Sequence, residues 1–261
     1  MQNNDVKKID KYSAPALSKG LDILEFLAKE AQAQKKADIA RALDRSISEI
    51  FRMLVVLEQR EYVAFDTYTE RYSLTTKLFE ISHQYPPIRR ISSIAGEAMQ
   101  RLAQRINQSA HLAILSDEHV LVIAQVNSPG NNVTSVRLGA RIPIFQTASG
   151  AVLTAYFTGD DRLRLDNDLK SATRTQRKIY QDSSAMMLNK HYCECPSMVI
   201  EGVMNISVPI QDHGGEVIAA LTIPFIKRLN DPESVSRTDA RKALIETGND
   251  ISKLLGASVA K

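Results

Sequence analysis

The stretch that most constrains the fold is residues 36–54, KADIARALDRSISEIFRML. The spacing of its apolar residues divides it into two short helices about a turn at Asp44-Arg45. Ile39, Leu43, Ile50, Met53 and Leu54 fall where their side chains enter one shared core, and Ala40 is small enough for two helices to approach closely. Ser46 and Glu49 form an S-x-x-E pair, the reciprocal cap in which each side chain satisfies a free backbone N–H of the helix start. Such a pair of helices suits a helix-turn-helix, which presents Ile47, Ser48, Phe51 and Arg52 of its second helix to a DNA major groove. The same pattern also fits an αα-hairpin inside a larger helical core. The turn position held by Asp44 wants φ > 0, which glycine adopts freely and Asp only at some cost.

The flanking sequence favours the DNA-binding reading. Residues 1–14 are polar and aperiodic, an expected disordered tail whose Lys7, Lys8 and Lys11 are either solvated or near DNA. A helix is expected from Pro15 to about Glu30, with Leu17, Leu21, Leu24 and Leu27 on one stripe. After the second helix, which should run to about Arg60, the β-prone runs 62–65 and 71–74 flank a polar turn and read as a hairpin. Helices followed by a hairpin make the winged form of the motif, with Arg71 and Tyr72 as candidate phosphate contacts. Arg41 could track phosphate as well. Arg52 is the strongest candidate for base or phosphate contact, with Ser46, Ser48 and Phe51 as neighbours; Phe51 is equally suited to a core. Glu49 could accept from cytosine, although its capping role explains it without DNA.

A short helix over 76–83 leads to Pro86-Pro87, which breaks the helical pattern. The expected domains are therefore 1–14 (tail), 15–75 (winged helix-turn-helix), 76–90 (linker) and 91–257 (sensor domain). Within the last, the patterns predict a helix to about Asn107 and strands over 111–115, 120–126 and 133–138. Helices follow from Thr147 to Tyr156, over 160–169 and over 175–190, then strands 203–210 and 217–223 about a Gly-Gly turn. A helix over 237–255 ends the pattern, and the fold class is α+β, an antiparallel sheet covered by helices. Thr147, Ala148, Ser149 and Gly150 open a helix whose free N–H groups could seat a carboxylate, although plain N-capping needs only one of them. Asn205 and Thr222 are polar on otherwise apolar strands and need partners, from a ligand or from the protein. Cys195 is a weaker ligand candidate.

Bulk properties exclude more than they assign. The chain of 261 residues has a net charge of +3, and residues 1–85 hold 13 Lys/Arg against 13 Asp/Glu, so basicity gives no argument for nucleic acid. No apolar run is long enough to span a membrane, and no apolar signal segment follows Met1, so a cytoplasmic location is expected. Cys193 and Cys195 are too close in sequence to staple a fold. With His191 they alternate as zinc ligands on one strand face would, but a fourth ligand is not evident and small core residues are the favoured reading, so no metal is expected. No nucleophile elbow, P-loop or dinucleotide fingerprint occurs, so neither an enzyme nor a cofactor is expected.

From about Ser13 to Leu255 the chain resembles the IclR-type bacterial transcription regulators. The segments that carry the resemblance are IARAL (39–43), SEIFRML (48–54), LEQREYV (57–63), RYSL (71–74), HLAIL (111–115), VRLGARIPIFQTASG (136–150) and EGVMNISVPI (201–210). The resemblance implies a winged helix-turn-helix, a linker helix and a GAF-like effector domain. It also implies homodimers or dimers of dimers on near-palindromic double-stranded operators, gated by small organic, sugar-derived or aromatic acids. Glu70 stands where the family commonly has glycine before the wing Arg-Tyr, as Asp44 does in the first turn. Asn205 stands where many members carry Cys, Cys195 at a commonly acidic position, and Pro224 where many have a hydroxyl. A small-molecule effector would act by linkage, shifting operator binding by its differential affinity for two states. The alternatives are an effector-independent DNA-binding protein and, further off, a GAF-like enzyme fused to a winged helix.

Overall fold

The computed structural model describes residues 14–84, 86–130, 133–228 and 234–258, so nearly all of the expected tail lies outside them. The chain forms two compact units that meet at Pro86/Pro87, the second a mixed helix-and-sheet unit as expected of α+β.

In the first unit, α1 (Pro15–Leu27) stops three residues short of the expected end, and β1 (Gln34–Lys35) follows. Next come α2 (Lys36–Ala42) and α3 (Ile47–Gln59), then β2 (Val63–Asp66), β3 (Arg71–Leu74) and α4 (Lys77–Gln84). The turn between α2 and α3 is a Schellman motif. Arg45 N–H donates to Ala40 O at 2.9 Å and Asp44 N–H to Arg41 O at 3.3 Å, with Asp44 at φ +51°. Ile23, Ile39, Ile50, Leu54 and Val63 are fully or almost fully buried in one core. β3 is central, flanked by β2 and by β1, whose two residues are too few for a sequence pattern to mark.

The second unit opens with α5 (Pro86–Ile106), for which Pro86 supplies a first-turn residue that needs no N–H. Then follow β4 (Ala110–Ser116), β5 (His119–Val126), β6 (Arg141–Pro143), a 3-10 turn (Ile144–Gln146) and α6 (Ala148–Thr154). The chain continues through α7 (Gly159–Leu169), α8 (Arg174–Lys190), β7 (Cys193–Pro196), β8 (Met204–Gln211), β9 (Val217–Phe225) and α9 (Arg237–Leu254). The six strands run in the order β6-β5-β4-β9-β8-β7, every neighbouring pair antiparallel. The expected strand over 133–138 is not one: its described residues lie outside the ladder, with Val133 and Leu138 exposed. The edge of β5 is taken instead by residues 139–143, after Gly139 turns the chain at φ +77°.

Strand alternation sorts the sheet's two faces. Leu112, Ile206, Ile210, Leu221 and Ile223 pack with α5 and α9, and this contact is so close that a Cβ on Gly248 would come within 2.7 Å of Val208. The opposite face carries Ala113, Ala220, Cys193 and Cys195 against α6 and α8. It also carries the polar residues of the candidate site.

Candidate functional site

On the first unit, Ser46 and Glu49 are committed to the start of α3. The Ser46 hydroxyl accepts from Glu49 N–H at 3.3 Å, and Glu49 Oε2 accepts from Ser46 N–H at 3.2 Å and from the Ser46 hydroxyl at 2.8 Å. Lys19 Nζ adds a contact of 2.5 Å to Glu49 Oε1, and this hydrogen bond, with those from Ser46, holds the carboxyl down at about 2. The cap and the ion pair account for both residues without DNA.

Ser48, Phe51 and Arg52 lie exposed on the outer face of α3 with Ile47, and no hydrogen bond or ion pair to a described residue holds Arg52. Lys36 Nζ stands 4.9 Å from the centre of the Phe51 ring, so the half-exposed ring supports a cation rather than filling the core. Arg41 is exposed and pairs with Asp38 at 3.3 Å.

The hairpin gives Arg71 and Tyr72 partners within the first unit. Arg71 Nη1 donates to Ala33 O at 2.8 Å, so its guanidinium ties β3 to the segment before β1. Tyr72 is 5 % exposed and lies 4.7 Å from the Phe65 ring, as part of the core. Tyr68 was not singled out in the sequence, yet it stands 98 % exposed at the hairpin tip. The tip is fixed by Asp66, whose Oδ1 accepts from Tyr68 N–H at 2.8 Å and Thr69 N–H at 3.3 Å, and Glu70 leaves it at φ +55°. An aromatic residue in the middle of a polar turn was the available signal.

On the second unit, a cavity of about 360 Å³ opens beside the start of α6. Thr147, Ala148, Ser149, Asn205 and Thr222, which lie up to 75 positions apart in sequence, all line it. Thr147 Oγ1 accepts from Gly150 N–H at 2.9 Å, so Ala148 and Ser149 carry the first amides of the helix with no intrahelical acceptor. The Thr222 hydroxyl meets Ser149 Oγ at 2.9 Å and Ser207 Oγ at 2.7 Å, a buried hydroxyl chain from β8 through β9 to α6. Val136, Ile142, Val199, Ile200 and Val203 supply apolar wall, and Pro224 adds a surface with no donor.

Two of the expected ligand residues do not line the cavity. Gly150 is needed for packing, because a Cβ there would lie 2.2 Å from Ile144 O. Cys195 is buried between the sheet and α8, paired across the ladder with Asn205. Burial pushes both thiols up, and Cys193 Sγ donates to Ala148 O at 3.4 Å. His191 caps α8 at φ +59°, exposed and outside the strand, so it shares no strand face with the two cysteines.

Sequence reasoning singled out neither Arg137 nor His111 as a ligand contact. Arg137 is an exposed cation at the cavity, in a segment whose extended but unpaired course no periodicity signals. His111 is 5 % exposed, and burial lowers its pKa to about 4, so the imidazole is neutral at physiological pH. An imidazole in the apolar run HLAIL was the visible signal.

Two family models match the chain in order: the "IclR helix-turn-helix domain" over residues 16–67 and "Bacterial transcriptional regulator IclR C-terminal" over residues 83–253. Among characterised proteins, the chain is 27 % identical over 259 residues to the HTH-type transcriptional regulator KdgR of Escherichia coli K12, covering 95 % of this chain and 98 % of that one. It is 26 % identical over 250 residues to the transcriptional repressor AllR of the same strain, covering 93 % and 91 %. Among solved structures, Thermotoga maritima IclR matches with a TM-score of 0.73 at 24 % identity, covering 92 % of this chain and 98 % of that one. An IclR homologue from Microbacterium hydrocarbonoxydans, complexed with 4-hydroxybenzoate, matches with a TM-score of 0.76 at 21 % identity and the same coverage. The two units in this order, the first with its capped helix and hairpin and the second with its cavity, are those of a DNA-binding transcriptional regulator with an effector-binding domain, and the chain belongs to the IclR family.

Proposed function

We propose that the effector of this regulator is a small organic, sugar-derived or aromatic acid bound in the cavity beside α6, and that Ser48, Phe51 and Arg52 read the operator. The observation that carries the effector reading is the composition of the cavity. Apolar wall from Val136, Ile142 and Val203 suits a carbon skeleton, while Arg137, Thr147, Asn205 and the Thr222 hydroxyl offer a cation and neutral polar groups. Among the described residues that line it there is no Asp or Glu, which suits an anion. The relative complexed with 4-hydroxybenzoate supports the same class.

On the DNA side, Arg52 is a fork-shaped donor free to meet guanine or phosphate, Ser48 adds a hydroxyl and Phe51 an apolar surface for a thymine methyl. Arg41 and Tyr68 flank them as backbone contacts. The regulator works as a homodimer or dimer of dimers in the cytoplasm, each copy giving one recognition helix to a half-site. We read the chain as a regulator rather than an enzyme because the proteins it resembles are transcriptional regulators.

The test selects an operator from random duplex DNA and measures its affinity by fluorescence anisotropy, with and without a panel of carboxylic acids. Arg52→Ala should weaken operator binding about 10- to 100-fold at unchanged melting temperature. Asn205→Ala should keep operator binding and lose the response to the acid. Operator binding indifferent to every acid, or unaltered in Arg52→Ala, would sink this reading.

A further inference from the structure

The sheet face beneath α6 carries a row of polar side chains directly opposite one another: Gln125, His111, Thr222, Ser207 and Cys193 on β5, β4, β9, β8 and β7. Opposed residues of an antiparallel ladder share a face, so the five form one polar stripe across the sheet. Four of them have protein partners. Gln125 Nε2 donates to Asn127 Oδ1 at 2.6 Å and to Ser135 Oγ at 3.0 Å, Thr222 and Ser207 share the hydroxyl chain, and Cys193 donates to Ala148 O. His111 is the exception: its Nδ1 is buried with no hydrogen-bond partner, and the residue lines the cavity.

A buried ring nitrogen without a partner is costly, and a molecule in the cavity is well placed to relieve that cost. The neutral imidazole offers one donor and one acceptor. That combination matches a hydroxyl or a carbonyl oxygen, whereas a carboxylate is matched by Arg137 and by donors such as the Asn205 amide. We propose that His111 pairs with an oxygen of the effector other than its carboxylate, so that the cavity selects hydroxy- or oxo-acids over the same acids lacking that oxygen. The inference rests on the acid-effector reading above and assigns His111 the role of specificity residue. The low proton affinity of the ring keeps both its donor and its acceptor in place at neutral pH.

The test measures dissociation constants of the full chain by calorimetry for matched pairs: 4-hydroxybenzoate against benzoate, 2-oxobutanoate against butanoate, 2-hydroxybutanoate against butanoate. In the wild type the oxygenated member of at least one pair should bind about tenfold tighter or more, the size of one buried hydrogen bond. In His111→Phe that ratio should fall to about one, through weaker binding of the oxygenated acid alone, while His111→Gln, which keeps a donor and an acceptor, should retain part of it. A measurement on the wild type stands beside the variants should His111→Phe fail to fold. The ¹⁵N resonances of the His111 ring should move with the oxygenated acid and stay in place with its bare counterpart. If acids bind without discrimination, if His111→Phe keeps the wild-type ratio, or if the ring resonances ignore the oxygenated acid, the role of His111 is wrong and the acid-effector reading survives. If no acid of either kind binds the wild type, the acid reading fails and this inference fails with it.

Discussion

Helices α3 and α6 begin with the same device and end in opposite circumstances. Each has a hydroxyl residue at the N-cap, Ser46 or Thr147, accepting from the amide three positions on. In α3 that third position is Glu49, which returns a bond to the cap, and Ile47 and Ser48 before it face solvent. In α6 it is Gly150, and all seven residues of the helix are buried. The difference lies in what covers the first turn. Among the described residues only the Lys36 side chain is seen against the outer face of α3, so a charged residue can complete its cap and Ser48, Phe51 and Arg52 stay exposed. The Ile144 carbonyl lies on the first turn of α6, so no side chain fits there, and the groups left over face a cavity.

The sharpest way to break this contrast is to put a side chain where α6 allows none. In Gly150→Ala the new Cβ would sit 2.2 Å from Ile144 O, a backbone atom that cannot swing aside. The second unit should lose about 3 kcal/mol, a drop of roughly 10 °C in melting temperature by scanning calorimetry. A loss below about 1 kcal/mol would show that the 3-10 turn gives way and that glycine there serves something other than packing.

The second prediction uses pH. The His111 ring binds protons more weakly in the folded chain, about 4 against 6.5 when free, because burial disfavours its charge. Between those values the unfolded chain holds more protons, so the stability His111 contributes is complete above pH 6.5 and is lost as pH falls toward 4. At pH 5 the loss should be roughly 2 kcal/mol relative to pH 8. His111→Phe should lack that part of the pH slope in urea unfolding followed at both values. An unchanged slope would mean that the ring is more accessible to water than its burial indicates. No counterpart is expected on the face of α3, where the side chains already stand in water.

These two regions were also unequally legible in the sequence. The cap, the core positions and the exposed face of α3 all fall within 20 consecutive residues, so their periodicity settles inside from outside. The φ > 0 expected at Asp44 is found there, and Glu70 adopts the same region. The hairpin was placed correctly, but which of its side chains turn inward was not. Tyr72 shares the covered face of the sheet with its ladder partner Phe65, and a four-residue strand does not announce which of its two faces the helices will cover. In the second unit, the segment containing Thr147 and Ser149 and the strands with Asn205 and Thr222 were marked by local pattern. His111 joins them only through strand order and register, which place β4 beside β9, and Arg137 through a segment outside the ladder that runs along the cavity. Gly150 and Cys195 do not line the cavity: Gly150 packs against the Ile144 carbonyl of the preceding turn, and Cys195 is buried in the core on the α6/α8 face of the sheet.

A smaller effect tests the cap of α3. Ser46→Ala removes the acceptor for the Glu49 amide and the hydroxyl that steadies the Glu49 carboxylate, so the first unit should lose about 1 kcal/mol. Operator affinity should fall with the fraction of α3 that frays, and less than in Arg52→Ala. A loss of affinity as large as that of Arg52→Ala, with stability intact, would mean that the Ser46 hydroxyl contacts DNA after all.

The smallest expected effect has the opposite sign. Asp44 sits at φ +51° as the residue that closes α2, and Glu61 sits at φ +63° in the same role after α3, where Tyr62 N–H reaches Leu57 O at 2.9 Å. A side chain in this region costs on the order of 1 kcal/mol that glycine avoids, although glycine returns part of the gain through its freer unfolded chain. Asp44→Gly should therefore stabilise the first unit by about 0.5 kcal/mol in urea unfolding, and adding Glu61→Gly should roughly double the gain, since each residue closes a separate turn. Operator affinity should not change, because the outer face of α3 is untouched. If Asp44→Gly destabilises the unit, the carboxylate contributes to the turn in a way its exposed position does not suggest. If instead it stabilises the unit but weakens operator binding, the angle between α2 and α3 depends on the side chain at this turn, and the face of α3 is set from outside its own 13 residues as firmly as the cavity beside α6 is set by its sheet.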